Sequence, residues 1–218
     1  MKKIVAATVL FIFSLPAWAA PVTLQFTARV ASKDSSAQYG LTPIAIGDQI
    51  NGYFTYDSAL TADTNTWDVV GQYPFSASNS SYRFQVISST GSGILYDESG
   101  PLTQIITENN WSYPGYPTLD AFTVNGGFSK GGEVFTFWLY LQNRDTNLNV
   151  ITSDALPSPP PAFDQFNYTK GVLSSSYSLG QVYFDLTSVA PVPLPGSLIL
   201  MLSALTFFTR LIKTKKKS

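Results

Sequence analysis

The chain has 218 residues, and its composition already excludes most metal-dependent and nucleophilic chemistries. It contains no cysteine, which excludes disulfides, thiolate zinc sites and cysteine nucleophiles, and no histidine, which excludes Ser-His-Asp triads and imidazole metal ligands. Charged residues make up only 12% of the chain, about half the share usual in soluble domains. Basic residues concentrate at both ends and all the acidic residues lie between them, which argues against nucleic acid as a partner.

The first 19 residues have the three parts of a secretory signal peptide. Lys2 and Lys3 form a basic n-region, residues 4–15 form an apolar h-region, and Ala17 and Ala19 form a small-x-small cleavage site. We therefore predict export through the Sec machinery and cleavage after Ala19 by signal peptidase. The alternative is an uncleaved N-terminal anchor, which the short h-region and the cleavage site disfavour.

Between residues 20 and 188 the hydrophobic period is two rather than 3.6, which is typical of β-strands. In residues 22–30, apolar side chains alternate with polar ones, which predicts a strand with one buried face. Ile50, Phe54 and Tyr56 indicate a second strand, in which Gly52 is a candidate bulge. Further strands are predicted at residues 82–90, 93–97, 103–108, 119–125, 133–143 and 181–187.

Residues 133–143 are apolar at both alternating positions, which is typical of a central strand covered on each face. We accordingly expect Trp138 in the core. Glycine-rich segments, among them residues 125–127 and 130–132, are interpreted as turns. Because no segment here shows the helical periodicity that an α+β domain needs, we predict an all-β domain over residues 20–188, an antiparallel β-sandwich.

Two kinds of oxygen-rich site are open to a chain without histidine. Asp97, Glu98, Glu108 and Asp120 are candidates for the pair of carboxylates that glycoside hydrolysis requires. An acidic surface forms such pairs by chance, so we predict no enzyme and no catalytic residue. The loop of residues 63–68 carries oxygen ligands that suit Ca²⁺, but it lacks the glycine and the final glutamate of an EF-hand loop. Calcium binding there stays open, and we predict no metal or cofactor.

Residues 109–117 form the most suggestive binding loop of the chain. Trp111, Tyr113 and Tyr116 lie among proline, glycine and asparagine residues. Aromatic rings can stack on sugar rings while amides bind the hydroxyl groups, so these three residues are candidates for contact with a glycan. The alternative is that the rings fold back over the edge of the sheet.

Three segments follow the predicted domain. A Pro-rich segment, residues 189–196, is kept extended by its prolines, so another protein can recognise it. Residues 197–212 are predicted to form a transmembrane helix, because Arg210 can snorkel and extend the apolar run. A basic tail, residues 213–218, completes the set. The positive-inside rule places the basic residues of this end in the cytoplasm: Arg210, Lys213, Lys215, Lys216 and Lys217.

This ordered set of motif, helix and basic end resembles a PEP-CTERM sorting signal, and more closely its VPLPA-CTERM variant. The matching residues are Val192, Pro193, Leu194, Pro195 and Gly196. The variant usually has alanine in place of Gly196, and the main family has glutamate in place of Leu194. The resemblance implies recognition by an exosortase, a membrane protease or transpeptidase of Gram-negative envelopes. Such an enzyme removes the tail and passes the protein to the cell surface or extracellular matrix. Residues 47–57 are similar to the opening of many ectodomains that precede such tails.

We therefore expect an exported protein that is anchored in the inner membrane as a precursor and reaches the cell surface or the extracellular matrix. Its expected role is structural or adhesive. Two alternatives remain open: a carbohydrate-binding module at the cell surface, and an unprocessed single-pass membrane protein facing the periplasm. The expected partners are the Sec machinery, signal peptidase and an exosortase-type membrane protease, with an exopolysaccharide as a further candidate.

Overall fold

The computed structural model describes residues 21–59, 61–112, 118–145, 149–158 and 160–192. These residues contain ten β-strands, two short 3-10 helices at Tyr39–Leu41 and Phe163–Gln165, and no α-helix. The strands are β1 (Val22–Lys33), β2 (Gln49–Tyr56), β3 (Val70–Pro74), β4 (Ser80–Ile87), β5 (Ile94–Gly100), β6 (Leu102–Trp111), β7 (Leu119–Lys130), β8 (Glu133–Asn143), β9 (Tyr168–Ser175) and β10 (Gln181–Pro191). The predicted all-β class is confirmed.

The segments predicted to direct export and anchoring lie outside the described residues. These are the signal peptide of residues 1–19, the transmembrane helix of residues 197–212 and the basic tail. The Pro-rich segment is described only as far as Val192. Within the part of the chain that the structure describes, no helix is long and apolar enough to cross a membrane.

All ten strands belong to one antiparallel sheet in the order β3-β6-β7-β8-β9-β10-β1-β2-β4-β5. The sheet curls, so that its two halves face each other across a shared core. The ring of Phe84 in β4 lies 5.1 Å from that of Phe137 in β8, and the Tyr82 hydroxyl donates to the carbonyl oxygen of Gly127 in β7 at 2.7 Å. The hydrogen bonds give one continuous sheet, so the two separate sheets expected for a β-sandwich are not confirmed.

The core lies inside the curl and is rich in aromatic rings. Alternate residues of β1 point into it as predicted, since Phe26 and Val30 are buried while Gln25 and Arg29 are exposed. The largest fully buried side chains include Tyr56, Tyr82, Phe26, Phe54, Phe84, Phe122, Phe135, Phe137 and Phe184. Each buried side chain of this size stabilises the fold by roughly 1.5–3 kcal/mol, so the aromatic core is the main source of stability.

Three strand glycines make room for phenylalanine rings. Each lies opposite a phenylalanine on the next strand: Gly52 opposite Phe26, Gly126 opposite Phe137, and Gly171 opposite Phe184. A Cβ atom at any of the three would come within 2.0–2.5 Å of that ring. The prediction of a bulge at Gly52 was wrong, because the register of β2 with both its neighbours is unbroken. The prediction of a turn at residues 125–127 was also wrong, since these residues lie inside β7.

Strand β8 is central, as predicted, but only one of its faces is fully buried. Its residues alternate between buried and partly exposed positions from Glu133 to Asn143. Trp138 therefore lies on the outer face of the sheet and is half-buried, and the prediction that it belongs to the core was wrong. The strands β3 and β9 were not predicted at all.

The chain enters and leaves the described domain at the same end. Leu24 in β1 faces Pro191 in β10, and the Val192 N–H donates to the Thr23 carbonyl oxygen at 3.0 Å. The loop of residues 34–48 lies at the other end of β1, roughly 30 Å away at the rise of an extended strand. The predicted signal peptide and the predicted C-terminal sorting segment therefore both join the domain at this end. The loop of residues 34–48 forms the opposite end.

Candidate functional site

The predicted sorting motif begins where the described structure ends. Val192 is 42% exposed. Its backbone N–H donates to the Thr23 carbonyl oxygen, so the described chain is still hydrogen-bonded to β1 at this residue. The other predicted processing residues lie outside the described residues: Ala17, Ala19, Pro193, Leu194, Pro195, Gly196, Arg210, Lys213, Lys215, Lys216 and Lys217.

Trp111 is the one predicted glycan-contact residue that the structure describes, since Tyr113 and Tyr116 lie outside the described residues. It ends β6 rather than standing in a loop, and its indole is half-buried. It pairs with Leu119 just beyond an irregularity in the register, where Asn110 adopts a left-handed φ of 51°. Because Leu119 is two residues from Ala121, alternation places Trp111 on the outer face of the sheet.

The outer face of β6 to β8 forms a surface with a distinctive composition. Strand β6 contributes Gln104, Ile106 and Glu108, and β8 contributes Trp138, Tyr140 and Gln142; we call these six residues the outer aromatic face. The register places both sets on either side of β7. Ile106 and Tyr140, for example, are the two cross-strand neighbours of Thr123.

Opposite these six residues, the outward side chains of β7 are small. Ala121, Thr123 and Asn125 are at most 6% exposed although they point away from the core. The larger side chains of β6 and β8 therefore supply the surface that solvent reaches. In the central part of the outer aromatic face, large side chains of β6 and β8 therefore cover the small side chains of β7.

The two rings of this face are aligned with each other. Trp138 and Tyr140 lie two residues apart on β8, with ring centroids 6.1 Å apart and planes only 5° from parallel. Burial raises the pKa of Tyr140, so its hydroxyl stays protonated at neutral pH and can donate a hydrogen bond. Among the described residues, neither the Trp138 indole N–H nor the Tyr140 hydroxyl has a hydrogen-bond partner.

Glu108 adds a half-buried carboxylate to the face. Its cross-strand neighbours, Val70 and Ala121, are apolar, and burial raises the pKa of this carboxyl group. No residue in the described ranges donates a hydrogen bond to Glu108 or forms an ion pair with it. Nearby, Gln72 Nε2 donates to Gln104 Oε1 at 2.9 Å. This orients the two amides and leaves further donor and acceptor positions on both.

The two cations next to the outer aromatic face, Lys170 and Arg144, already interact with other side chains. Lys170 Nζ in β9 lies 2.5 Å from Asp185 Oδ1. The Arg144 guanidinium lies over the Tyr168 ring, with Cζ 3.6 Å from the centroid, and also donates to Gln142 Oε1 at 2.8 Å. Of these two cations, only Lys170 is neutralised by a carboxylate, whereas Arg144 is held in place by neutral side chains.

The carboxylates considered for hydrolysis are not arranged in pairs. The hydrogen bonds from Arg83, at 2.7 and 2.8 Å, lower the pKa of Asp97 to about 2. Glu98 is adjacent on β5, points to the opposite face of the strand and pairs with Lys130 at 2.8 Å. The carboxylates of Asp97 and Glu98 therefore cannot act together on one glycosidic bond.

Asp120 and Glu108 are separated by the sheet itself. Asp120 is 2% exposed and accepts backbone N–H groups from Asn110 at 2.8 Å, Val150 at 2.7 Å and Ile151 at 3.1 Å. It joins the end of β6 to the segment after β8. Glu108 pairs in register with Ala121, which points to the opposite face from its neighbour Asp120. Asp120 is therefore a structural residue.

The loop of residues 63–68 uses its side chains to stabilise turns. Asp63 Oδ1 accepts the backbone N–H groups of Asn65 and Gln72, both at 2.8 Å, and Asn65 Oδ1 accepts that of Trp67 at 3.0 Å. Across the described ranges, no group of three or more acidic, histidine or cysteine side chains is gathered that could hold a metal ion.

Two charged side chains, the buried Asp48 and the half-buried Lys33, hold the loop of residues 34–48. Lys33 Nζ donates to the carbonyl oxygens of Leu41, Thr42 and Ile44 at 2.8–3.0 Å. Asp48 accepts hydrogen bonds from Ser89 N and Oγ at 2.8 and 2.9 Å, and from the Ala45 N–H at 2.8 Å. These charges are satisfied internally, so their role is to fix the loop.

The residues that best fit a binding site are therefore Trp138, Tyr140 and Glu108, together with the amides beside them. The sequence analysis placed Trp138 in the core and considered Glu108 only as an acid. The signal that could have revealed the face is the spacing of Trp138, Tyr140 and Gln142 at alternate positions of one strand. Such a surface can bind a molecule that offers both apolar faces and hydroxyl groups. The chain matches no protein-family model, no curated protein and no solved structure.

Proposed function

We propose that this chain is an exported protein whose β-domain is displayed at the cell surface or in the extracellular matrix, with a structural or adhesive role. The observation that carries the proposal is the succession of the 192–196 motif, the apolar residues 197–212 and the basic residues 213–218. This succession resembles a PEP-CTERM sorting signal. The signal-peptide features of residues 1–19 support it independently.

The position of the domain's two ends supports release by proteolysis. Val192, the last described residue, donates its N–H to the Thr23 carbonyl oxygen in β1, and the proline-rich motif continues from it in the sequence. A cut within the motif would lie beyond β10, which ends at Pro191. A cut after Ala19 would likewise leave β1 intact, because that strand begins at Val22. Both cuts would therefore leave the ten-stranded sheet complete.

The arrangement of the carboxylates favours a structural or adhesive role over a catalytic one. The four acids considered for hydrolysis are held by Arg83 and Lys130, accept backbone N–H groups, or stand alone on the outer face. The outer aromatic face offers binding groups instead.

The proposal is tested by intact-mass analysis of the protein from each cell fraction, with and without a co-resident exosortase. We expect a product that begins near Ala20, ends near Pro195 and is found outside the inner membrane only when the exosortase is present. The double variant Pro193→Ala, Pro195→Ala should remain unprocessed, whereas the matched control Pro191→Ala should be processed normally. A wild-type product that still ends at Ser218 in the inner membrane would identify a permanent anchor and refute the proposal.

A further inference from the structure

We propose that the outer aromatic face binds an extended, uncharged polysaccharide strand, with sugar rings stacked on Trp138 and Tyr140. The inference deepens the proposed matrix role and rests on it only for the setting in which the protein meets the glycan. The binding surface itself is argued from side chains within the sheet. It differs in place from the 109–117 loop considered in the sequence analysis.

The aromatic pair supplies the stacking surface. The ring planes of Trp138 and Tyr140 are nearly parallel and their centroids are 6.1 Å apart, so the two rings stack as one aromatic unit. The C–H groups on one face of a pyranose ring pack against an aromatic ring, as other apolar groups do. Because both residues lie on a central strand that is hydrogen-bonded on each side, their backbone is fixed before any ligand arrives.

The polar groups of the face fit hydroxyl groups. The Trp138 N–H can donate a hydrogen bond, the Tyr140 hydroxyl can donate and accept one, and the carboxylate of Glu108 can accept one. No group of the described residues forms a hydrogen bond with any of the three. The Gln72–Gln104 amide pair extends this set at the neighbouring edge of the sheet. A polysaccharide offers donors and acceptors along its whole length, so it can satisfy these groups together.

An apolar protein surface or a lipid would fit this face poorly. Either would bury Glu108 and the amides without partners, and each unsatisfied polar group costs about 1–3 kcal/mol. A strongly charged polymer would also gain little. Lys170 is neutralised by Asp185, Arg144 is held by Tyr168 and Gln142 but keeps its positive charge, and the unpaired carboxylate of Glu108 would repel an acidic polymer. Charge and hydrogen bonding therefore both favour a neutral glycan.

Trp111 extends the outer aromatic face toward the C-terminal end of β6. Its register partner Leu119 and the Glu108 partner Ala121 belong to the same outward row of β7. A glycan that crosses β8 and β6 could thus continue toward Trp111. The contact predicted from sequence would then be one end of a longer site.

The test is affinity electrophoresis of the purified full chain, in detergent, through gels containing hydroxyethylcellulose, galactomannan or dextran, with alginate as the acidic probe. We expect retardation by at least one neutral polysaccharide. Trp138→Ala and Tyr140→Ala should each weaken binding about tenfold, which corresponds to the loss of one stacking contact. The matched control is Tyr53→Ala, which removes a 40% exposed tyrosine from β2, outside the proposed surface, and should bind normally.

A second variant separates lost binding from lost folding. Glu108→Gln keeps the size of the side chain and removes a half-buried charge, so the protein should melt no lower than wild type while its affinity falls about tenfold. Three results would overturn the inference: retardation by none of the neutral polysaccharides, binding to alginate alone, or wild-type affinity in all three variants. Normal processing without glycan binding would refute this inference alone, and glycan binding by a chain with an uncut tail would refute the proposed display alone.

Discussion

The ring of Phe26 occupies the space that a side chain at position 52 would need, because a Cβ atom on Gly52 would lie 2.5 Å from Phe26 Cζ. The same relationship recurs at Gly126 with Phe137 and, more tightly, at Gly171 with Phe184. In each pair the glycine has no side chain to bury, and the phenylalanine of the neighbouring strand covers its backbone instead. The crowded aromatic core of this fold thus depends on three residues that lack a side chain.

Gly52→Ala should lower the free energy of unfolding by about 1–3 kcal/mol, the usual cost of overpacking a core. The strain is hard to relieve, because the new Cβ would also meet the backbone carbonyl oxygen of Arg83 at 2.3 Å. Urea denaturation measures the difference. Gly100→Ala is the control: its nearest contact would be the Tyr82 side chain at 3.3 Å, so it should cost clearly less. Equal losses in the two variants would contradict this explanation.

Asp120→Ala should be among the most destabilising single substitutions outside the aromatic core. It would leave three backbone N–H groups without an acceptor, one of them buried and two part-buried. An unsatisfied buried donor costs about 1–3 kcal/mol, so the total loss should be at least about 2 kcal/mol. Thermal melting measures it. Asp63→Ala removes a carboxylate that binds two N–H groups in an exposed loop, and should change the melting temperature far less.

Acid should weaken the fold partly through Asp48. Burial alone would raise the pKa of Asp48, but the hydrogen bonds from Ser89 and Ala45, helped by Lys33, outweigh it and hold the pKa below its usual value. A carboxyl group with a lowered folded-state pKa stabilises the fold above its unfolded pKa, near 4, and loses that contribution as the pH falls through the folded value. The melting temperature of wild type should therefore drop below about pH 4.

Asp48→Asn is the comparison for this pH dependence. The variant should be less stable than wild type at pH 7 and should lose less stability between pH 5 and pH 2. Parallel curves for the two proteins would show that other carboxylates dominate acid unfolding.

Glu108 should have the opposite effect on stability. Because burial raises its pKa, the charged form is disfavoured in the folded state, and the cost is largest above the folded-state pKa. Glu108→Gln should therefore raise the melting temperature at pH 7 and leave it nearly unchanged at pH 3. Asp97→Asn, which removes a carboxylate whose pKa is lowered by Arg83, should shift stability in the other direction. A lower melting temperature for Glu108→Gln at pH 7 would disprove the assigned cost.

The strands with a clear alternation were predictable, and the order of the strands was not. Strand β1 alternates regularly, so its inward residues could be named from the sequence. Strand β9 contains Lys170, Gly171 and three serine or threonine residues within eight positions, and β3 has only five residues with Gly71 and Pro74 among them. Both lack the apolar alternation that marks a half-buried strand. The pairing of β1 with β10 brings together residues such as Thr27 and Thr187, and a single sequence has no local signal for such a distant contact.

The candidate site depended on the register for the same reason. Trp138 and Tyr140 count as apolar in the sequence, and only their register with Asn125 and Thr123, two outward residues of β7, places them on the outer face of the sheet. The sequence identifies Glu108 as an acid, but only the pairing of β3, β6 and β7 shows that its cross-strand neighbours are the apolar residues Val70 and Ala121. Sequence could therefore identify the side chains of this site, and only the paired sheet could bring them together.

The position of β10 beside β1 has a mechanical consequence. In the membrane-anchored precursor, a pull between the proposed anchor that follows Val192 and a partner held on β8 would run along the length of β10. Hydrogen bonds in an antiparallel ladder lie across the strand direction, so those joining β10 to β1 and to β9 would bear this load together. A strand peeled from an open end gives way one bond at a time, whereas β10 would have to slide past both neighbours at once. Attachment at this end would let the domain resist a pulling force in the shear direction of its strands.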